Sequence, residues 1–331
     1  MAGDGNRTLK GLRRQPPMRR VLLATVPCIA GGVYYFGWRS LVMVLVSCAL
    51  ALFTEYLFCR RRGEPVSEAV FVTAVLYALV LPPTVPWHVL AVGIVFAIVF
   101  AKEVFGGFGR NIFNPALSGR CFVYVCFPPA LTSTWAPAAE GRLGALARWT
   151  TATTPDAITS ATPMAILKAG GPMAAPADLF FGRMGGTMGV TSALLILIGG
   201  IYLFATRTAN RKSIVTVILV YAALNQGLHA LGVQPVPPAL PAVLGGGFLF
   251  GAFFMVTDPV SSPSTDGGRI LYATLIAVCV VVIRNFSIFN GGLMFSILIG
   301  NMFAPIFDVW VKQFRARKEA GRAQAAGTGL G

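Results

Sequence analysis

The chain has 331 residues, of which 55% are hydrophobic and only 12% are charged. This composition excludes an ordinary soluble domain and is typical of a protein that crosses a membrane several times. The formal net charge of +15 does not indicate binding to nucleic acid, because the basic residues form short clusters at the ends of apolar runs and no nucleic-acid-binding module accompanies them.

Ten apolar runs are candidate membrane spans, since an α-helix needs about 17–25 residues to cross a bilayer. They cover approximately residues 21–38, 40–58, 67–82, 86–104, 113–128, 187–206, 213–231, 239–257, 270–285 and 290–310. The turns at 81–86 and 234–238 are rich in proline and cannot be helical, which predicts short or broken spans beside them.

The predicted fold is therefore an all-α polytopic membrane protein with about ten transmembrane helices. Its two membrane halves are residues 21–128 and 187–310, and a long outer segment at 129–186 separates them. Five spans in each half predict insertion in opposite senses if the halves are related, as two inverted five-helix repeats. Short matches such as Arg39-Ser40 with Lys212-Ser213 agree with a repeat, but they also arise by chance in apolar sequence.

The placement of Lys and Arg predicts the orientation of the chain. With a cytoplasmic N-terminus, 21 of the 27 basic residues fall on the cytoplasmic side, as the positive-inside rule requires. The basic tails at 1–20 and 311–331 are then both cytoplasmic, and the first span serves as the insertion signal. The outer segment faces the opposite side of the membrane.

The outer segment contains residues 156–163, with the sequence DAITSATP. Thr162 and Pro163 have the residue types of an N-cap and a first helical residue, so they predict a short helix that the glycines at 170–171 end. The positive end of a helix binds phosphate well, which suits a phosphate esterified to the Thr162 hydroxyl. On local physics alone, an ordinary helix cap is the simpler interpretation.

The order Asp156, Thr159, Ala161, Thr162 resembles the flavinylation motif of membrane subunits in the sodium-pumping NADH:quinone reductase and the related Rnf complex. In that family a dedicated FMN transferase joins FMN through its phosphate to the final threonine, which is Thr162 in this sequence. The resemblance implies covalent FMN at Thr162. It also implies that Asp156 matters mainly to the transferase.

A glycine-rich stretch at residues 102–120 follows the fourth predicted span. Its glycines allow the backbone to approach a flat ligand, whereas the simpler interpretation is a turn followed by a helix that starts at Asn114-Pro115. The stretch resembles the signature of NqrB, the large membrane subunit of the reductase, and more loosely that of RnfD, its Rnf counterpart. The runs at 254–263 and 301–308 resemble the same family, so the resemblance extends from the second span to the tenth.

The resemblance implies a membrane subunit that relays electrons between flavins and moves Na⁺ or H⁺ across a bacterial inner membrane, with the other subunits of an Nqr-type or Rnf-type complex as partners. It also implies a channel-like fold surrounded by membrane lipid, and a riboflavin near Asn111, Asn114 and Arg120. The short N-terminal tail is RnfD-like, so quinone and other terminal acceptors both stay open. A ten-span secondary transporter or channel without a redox role is the alternative.

Four carboxylates fall at predicted inner ends of spans, where an ionisable group is costly unless it is paired or functional. They are Glu55, Glu103, Asp258 and Asp308. We predict that all of them except Glu55 take part in ion coupling, and we prefer Glu103 because it adjoins the glycine-rich stretch. Pairing of Glu55 with Arg60–Arg62, and of Asp308 with Lys312, is the simpler alternative.

Other chemistries find little support in the sequence. The six cysteines include no Cys-x-x-Cys pair and the two histidines are far apart, so we predict no metal or iron–sulfur site. No Walker loop for phosphate binding occurs, which argues against an ATP-driven pump.

Overall fold

The computed structural model describes residues 12–133, 135–139, 141–151, 163–168, 170–289 and 291–327. Within these ranges every named element is a helix, and the bridge between Arg13 and Ser67 is an isolated β-pair. The predicted all-α class is therefore confirmed for the described part of the chain.

The first membrane half contains α1 (Pro16–Phe36), α2 (Trp38–Arg62), α3 (Ala69–Leu79), α4 (Trp87–Ile98) and α5 (Pro115–Cys126). A π-helical stretch, Val99–Glu103, continues α4. Gly37, with φ +94°, makes the tight turn between α1 and α2. Asn114 caps α5, because its side-chain oxygen accepts a hydrogen bond from the N–H of Leu117. The proline-rich turn at 81–86 separates α3 from α4, as predicted.

Three short helices lie in or at the start of the outer segment: α6 (Pro128–Thr132), α7 (Pro163–Lys168) and α8 (Pro176–Phe181). Each begins with proline, whose fixed φ and missing N–H suit the first helical position. α7 is the short helix that the sequence predicts after Thr162. Gly170, with φ +78°, lies just beyond its end.

The second membrane half contains α9 (Ala193–Ala205), α10 (Arg211–Ala230), α11 (Ala239–Leu244), α12 (Phe248–Phe254), α13 (Asp266–Phe286) and α14 (Gly292–Gly327). The sequence predicts one span at 239–257, but Gly245–Gly247 divide it into α11 and α12. Gly246 and Gly247 have φ +57° and +71°, a left-handed conformation that interrupts a right-handed helix and that glycine adopts readily. α14 continues past the predicted end of its span at 310, so the described part of the C-terminal tail is helical.

Four helices are long and apolar enough to cross a membrane, namely α2, α10, α13 and α14 as far as Ala320. Their outer surfaces carry apolar side chains, including Phe53, Leu219 and Val282, that are more than half exposed and suited to lipid. Each of the ten predicted ranges contains a helix. The chain is a multi-pass membrane protein, while the number of ten crossings stays a prediction.

Helices within each half pack against one another around a continuous core. α4 packs against α2 and α5, α13 packs against α10 and α14, and α1 with α9 joins the two halves. Glycine permits the closest approach: a Cβ on Gly119 of α5 would lie 2.6 Å from the carbonyl oxygen of Gly93 in α4. Because atoms do not tolerate so short a contact, the crossing of α4 and α5 requires this glycine. The crossing also orients Arg120, the next residue of α5.

Candidate functional site

Two cavities lie between the membrane halves. The outer cavity is lined by Arg120, Tyr124, Leu131, Thr132, Trp135, Met164, Leu179, residues 184–187, residues 244–247, Gly291, Leu293 and Met294, among others. The inner cavity is lined by Met18, Thr73, Lys102, Phe108, Asn111, Asn114, Leu203, Phe254 and residues 257–260, among others. α5 and α12 run between the cavities, so each of these helices contributes one end to each.

The wall of the outer cavity is largely bare backbone. Gly185–Gly186 enter it from the outer segment, Gly245–Gly247 from the break between α11 and α12, and Gly291 from the start of α14. Glycine at these places allows a flat molecule to lie directly against the peptide groups. Apolar side chains such as Met164 and Met294 form much of the remaining wall, which is the usual construction of a cofactor pocket.

Arg120 enters the outer cavity from the second turn of α5. Its Nη1 lies 3.9 Å from the sulfur of Met294, and its Nε is buried without a hydrogen-bond partner. Among the described residues it forms no ion pair. Arg120 is one of the 21 basic residues that the sequence predicts on the cytoplasmic side, whereas the structure places it beside residues of the outer segment.

Arg284, near the end of α13, is a second buried cation close to the outer cavity. Only 2% of it is exposed. Its Nη1 donates to the Tyr221 hydroxyl at 3.1 Å and to the Ala242 carbonyl at 3.2 Å, while Nε and Nη2 are buried without partners. Sequence reasoning counted Arg284 only as one of the outer basic residues. The signal that it missed is an arginine inside an apolar run, which is costly unless it is functional.

The predicted flavinylation residues are Asp156, Thr159, Ala161 and Thr162, and all four lie outside the described residues. The next described element is α7, whose second residue, Met164, lines the outer cavity. At the end of α7, Lys168 Nζ donates to the Ser287 carbonyl at 2.7 Å, just after α13. Burial, and then the charge of Arg284, lower the pKa of Lys168 below its ordinary value. The hydrogen bond from Lys168 to Ser287 therefore holds the end of α7 near Arg284.

The inner cavity brings together Asn111, Asn114 and Asp258, but not Arg120. Asn111 is held by a hydrogen bond from its Nδ2 to the Phe113 carbonyl at 3.0 Å. The side-chain oxygen of Asn114 accepts from Leu117 in capping α5. The three residues that the sequence predicts around a riboflavin thus belong to two cavities, because Arg120 points toward the other end of α5.

Two ion pairs with buried carboxylates lie near the inner cavity, which Lys102 lines. Lys102 Nζ lies 2.5 Å from a Glu55 oxygen, with both side chains 2% exposed. Arg62 Nη2 lies 2.5 Å from Glu103 Oε2, and the other oxygen of Glu103, Oε1, is buried without a partner. Lys102 and Glu103 are both buried although they are consecutive, since the π-helical turn widens α4 there. The alternative that Glu55 pairs with Arg60–Arg62 is wrong, because Glu55 pairs with Lys102.

Asp258 and Asp308 each accept hydrogen bonds from a turn near the end of a helix. Asp258, in the turn after α12, accepts from the Val260 N–H at 3.1 Å and the Ser261 hydroxyl at 3.0 Å. Burial raises the pKa of its carboxyl above the ordinary range. The Asp308 carboxylate accepts four bonds, from the N–H and hydroxyl groups of Ser264 and Thr265 before α13.

Asp308 is therefore occupied by the turn at 264–265. The alternative that it pairs with Lys312 is wrong, because Lys312 is exposed and forms no ion pair within the described ranges. No cluster of three or more metal-ligating side chains occurs among the residues that the structure describes.

An all-helical chain with several apolar spans and two cavities at breaks in its helices is the architecture of a polytopic membrane protein with sites inside its membrane domain. The chain belongs to the NQR2, RnfD, RnfE family, whose model matches residues 10–317. The resemblance predicted from the sequence is thereby confirmed.

Curated relatives of both branches are similar to the chain. The B subunit of the Na(+)-translocating NADH-quinone reductase of Pseudomonas aeruginosa (strain LESB58) is 38% identical over 306 residues, which cover 89% of this chain and 71% of the relative. The corresponding protein of Chromohalobacter salexigens is 39% identical over 301 residues, covering 89% and 69%. The D subunit of the ion-translocating oxidoreductase complex of Shewanella amazonensis is 33% identical over 320 residues, covering 89% and 91%. The chain is thus closer in identity to these two reductase proteins and closer in length to the Shewanella protein.

Proposed function

We propose that the chain is a membrane subunit of a redox-driven ion-translocating complex, and that it carries FMN on Thr162 with the flavin in the outer cavity. Both groups of relatives are subunits of oxidoreductases whose names include ion translocation. The observation that carries the proposal is the position of Met164. This residue lines the outer cavity two positions after Thr162, so a group attached to Thr162 is within reach of the cavity.

The residues of the outer cavity fit a flavin in shape and in charge. Bare glycine backbone at 185–186 and 245–247 suits the face of a planar ring, and the apolar side chains exclude water. The buried Nε of Arg120 has no partner and is available to an oxygen or nitrogen acceptor of a ligand. FMN would supply the electron chemistry, while the chain supplies binding, orientation and electrostatics.

We also propose a second, non-covalent flavin in the inner cavity. Asn114 commits its side-chain oxygen to Leu117, so its amide N–H groups remain for a ligand, and Asn111 and Thr257 add polar groups nearby. A riboflavin here would be held by Asn111 and Asn114, whereas Arg120 would serve the flavin of the outer cavity. α5 connects the two cavities and would carry one flavin-binding residue at each end.

Ion coupling is proposed at the inner side, with Glu103 as the principal residue. Its Oε1 is buried without a partner and faces Gly107 of the glycine-rich stretch, at 3.8 Å from a Cβ placed there. A free carboxylate oxygen beside flexible backbone is a suitable ligand for an entering Na⁺ or H⁺. Asp258 lines the adjoining cavity and is the second candidate. Asp308, with four hydrogen bonds to the turn before α13, is the third.

We further propose the ten-span, N-in and C-in arrangement in a bacterial inner membrane. Helix packing supports two related halves: α4 contacts α2 and α5 as α13 contacts α10 and α14, and α3 contacts α1 as α12 contacts α9. Inverted five-helix repeats with a short third span and a broken eighth span account for this correspondence. The other subunits of an Nqr-type or Rnf-type complex would supply the electron donor and the terminal acceptor, with quinone among the candidates.

The test is co-expression of the full chain with an FMN transferase, followed by a denaturing gel read for flavin fluorescence. We expect fluorescence that stays with the polypeptide in the wild type and in Thr159→Ala, a matched loss of a neighbouring hydroxyl. We expect none in Thr162→Ala. Fluorescence that persists in Thr162→Ala, or that is absent from the wild type despite an active transferase, would falsify the covalent FMN and favour a channel or transporter without a redox role.

The same experiment reports on topology. A transferase exported across the membrane is expected to flavinylate the chain, because the outer segment faces that side. Attachment that requires a transferase confined to the cytoplasm would instead place segment 129–186 inside and reverse the proposed orientation.

A further inference from the structure

Arg284 carries a positive charge that the described protein does not compensate. The side chain is 2% exposed, and it forms no ion pair with any described carboxylate. Two of its three nitrogens, Nε and Nη2, lack any hydrogen-bond partner. A buried guanidinium in this condition is strongly destabilising unless a negative charge comes near it. The arrangement therefore points to an anionic ligand.

The surrounding backbone places Arg284 directly behind the wall of the outer cavity. A Cβ on Gly246 would collide with Arg284 Nη2, so the guanidinium lies against the bare backbone of a residue that lines the cavity. On the other side, a Cβ on Gly292 would lie 2.9 Å from the Arg284 backbone nitrogen, and one on Gly291 would lie 3.6 Å from Arg120 Nη1. The pair Gly291–Gly292 thus lies between the two arginines.

The polar groups around Arg284 hold it in place without neutralising it. Tyr221 and the Ala242 carbonyl accept from Nη1, and Asn285 bonds Asn225 on the adjacent turn of α10 at 3.0 Å. These partners are uncharged, so they fix the position of the guanidinium and leave its charge free to act across the cavity wall. Lys168 of the outer segment is close enough for the charge of Arg284 to act on it, and its own hydrogen bond goes to the Ser287 carbonyl.

We propose that Arg284 is a positioning residue that stabilises the reduced, negatively charged form of the flavin in the outer cavity. The inference rests on the proposed FMN at Thr162. A neutral flavin that takes up two electrons from a reduced centre of a partner subunit, and one proton, retains one net negative charge on its ring. No bond to the protein forms or breaks in this step. A fixed positive charge behind a water-poor wall favours the anion over the neutral ring.

The consequence is a raised midpoint potential for this flavin. Arg120 lines the cavity, whereas Arg284 lies behind Gly246 and would act on the flavin through the field of its charge. A residue of this kind changes the potential without changing the covalent attachment, which depends on Thr162. Attachment and potential can therefore be measured separately on the same protein.

The experiment is a redox titration of the purified, flavinylated full chain with dithionite and mediator dyes, for the wild type, Arg284→Met and Arg284→Lys. Removing the charge in Arg284→Met is expected to lower the equilibrium constant for reduction about tenfold or more, which is a drop of about 30 mV for a two-electron couple. Arg284→Lys keeps the charge and is expected to keep the potential. Arg183→Met removes an exposed outer arginine and serves as the matched control without effect.

Two further variants separate electrostatics from structure. Tyr221→Phe removes the hydroxyl that accepts from Arg284 but keeps the charge, so its potential is expected to equal that of the wild type. Arg284→Gln keeps a donor for Tyr221 and replaces Arg284→Met if the latter does not accumulate. If neither neutral variant folds while Arg284→Lys and Tyr221→Phe do, the charge has a structural role and the proposal is overturned.

The failure of this inference differs from the failure of the proposed function. Absence of covalent flavin from the wild type in a denaturing gel removes the proposed function. Covalent flavin that is present, with the same midpoint potential in Arg284→Met as in the wild type, overturns the role of Arg284 alone.

Discussion

The inner and outer cavities differ in how their buried charges are balanced. Beside the inner cavity, Lys102 pairs with Glu55 and Arg62 pairs with Glu103, each at 2.5 Å. Beside the outer cavity, Arg120 and Arg284 have no carboxylate partner among the described residues. The two cavities share α5 and α12, but the paired charges lie on α2 and the end of α4, whereas the two arginines lie on α5 and α13.

This difference separates buried cations that a carboxylate of the protein neutralises from buried cations that no described carboxylate neutralises. A paired charge in a low-dielectric interior needs nothing further, and its removal leaves the partner exposed to the full desolvation penalty. An unpaired charge carries that penalty already, and an anionic ligand relieves it. The fully buried Lys102–Glu55 pair is therefore expected to matter for the stability of the protein. The outer arginines are expected to matter for what it binds.

The largest effect on stability is expected from Lys102→Met. The substitution leaves Glu55 buried and unpaired, and the expected loss is about 3–5 kcal/mol in the free energy of unfolding. Thermal unfolding of the purified chain in detergent measures it. The double variant Glu55→Gln/Lys102→Met removes both charges and is expected to recover most of the loss. A single variant as stable as the double one would show that the two charges are not coupled. The contrast between paired inner charges and unpaired outer arginines would then not explain stability.

A smaller effect is expected from Asp308→Asn. The carboxylate accepts four hydrogen bonds at the start of α13, and an amide accepts with one oxygen only, so about 2 kcal/mol of stability should be lost. Lys312→Met, four residues away on the exposed side of α14, is the matched control and should be neutral. Unchanged stability in Asp308→Asn together with loss of ion dependence would assign Asp308 to coupling instead.

A still smaller effect on stability is expected from Arg284→Met in the chain without flavin. Two hydrogen bonds are lost, but an uncompensated buried charge is removed, so the net change should be within about 1 kcal/mol of zero. Lys102→Met and Arg284→Met test the difference between the two cavities most directly, because both substitutions remove one buried cation and only Lys102 is paired with a carboxylate. A loss in Arg284→Met as large as that in Lys102→Met would mean that Arg284 is paired in the folded protein. The measurement is the same thermal unfolding experiment on unflavinylated protein.

Much of the helical layout could be predicted from the sequence, because apolar runs and proline-rich turns act locally. The break at Gly245–Gly247 could not be predicted, because glycine is also common in continuous membrane helices. Whether the helix continues or breaks there depends on packing, here the contact of Gly246 with Arg284. The candidate carboxylates could be identified from the sequence, because an ionisable group at the end of a membrane span is energetically unfavourable unless it is paired or functional. Their ion-pair and hydrogen-bond partners could not be identified. The partner of Glu55 lies 47 positions away, across α2 and α4, and no local pattern indicates it.

The candidate site shows the same limit. The flavinylation motif is a short local pattern and was recognisable, whereas the outer cavity is assembled from residues between Val80 and Ile297. Arg120 was identified by its motif, but the structure places it in a different cavity from Asn111 and Asn114, with which the sequence grouped it. The direction of a side chain from a helix follows from the packing of that helix, here the contact of Gly119 with Gly93.

The smallest effect on stability, and the most specific effect on function, is expected from Glu103→Gln. Arg62 would lose one partner but is 28% exposed and also bonds Glu64 at 3.1 Å, so solvent and Glu64 compensate and stability should change by less than about 1 kcal/mol. The unpartnered Oε1 of Glu103 is the group offered to an entering cation, and an amide oxygen without charge binds it less well. Ion-dependent turnover of the assembled complex should fall roughly tenfold, which corresponds to about 1.4 kcal/mol of lost ion affinity, with flavin content unchanged.

Glu64→Gln removes the other, exposed partner of Arg62 and should leave turnover as it is. If Glu103→Gln keeps the wild-type dependence on Na⁺ and H⁺ while retaining its flavin, Glu103 does not bind the entering ion and ion entry must use another carboxylate.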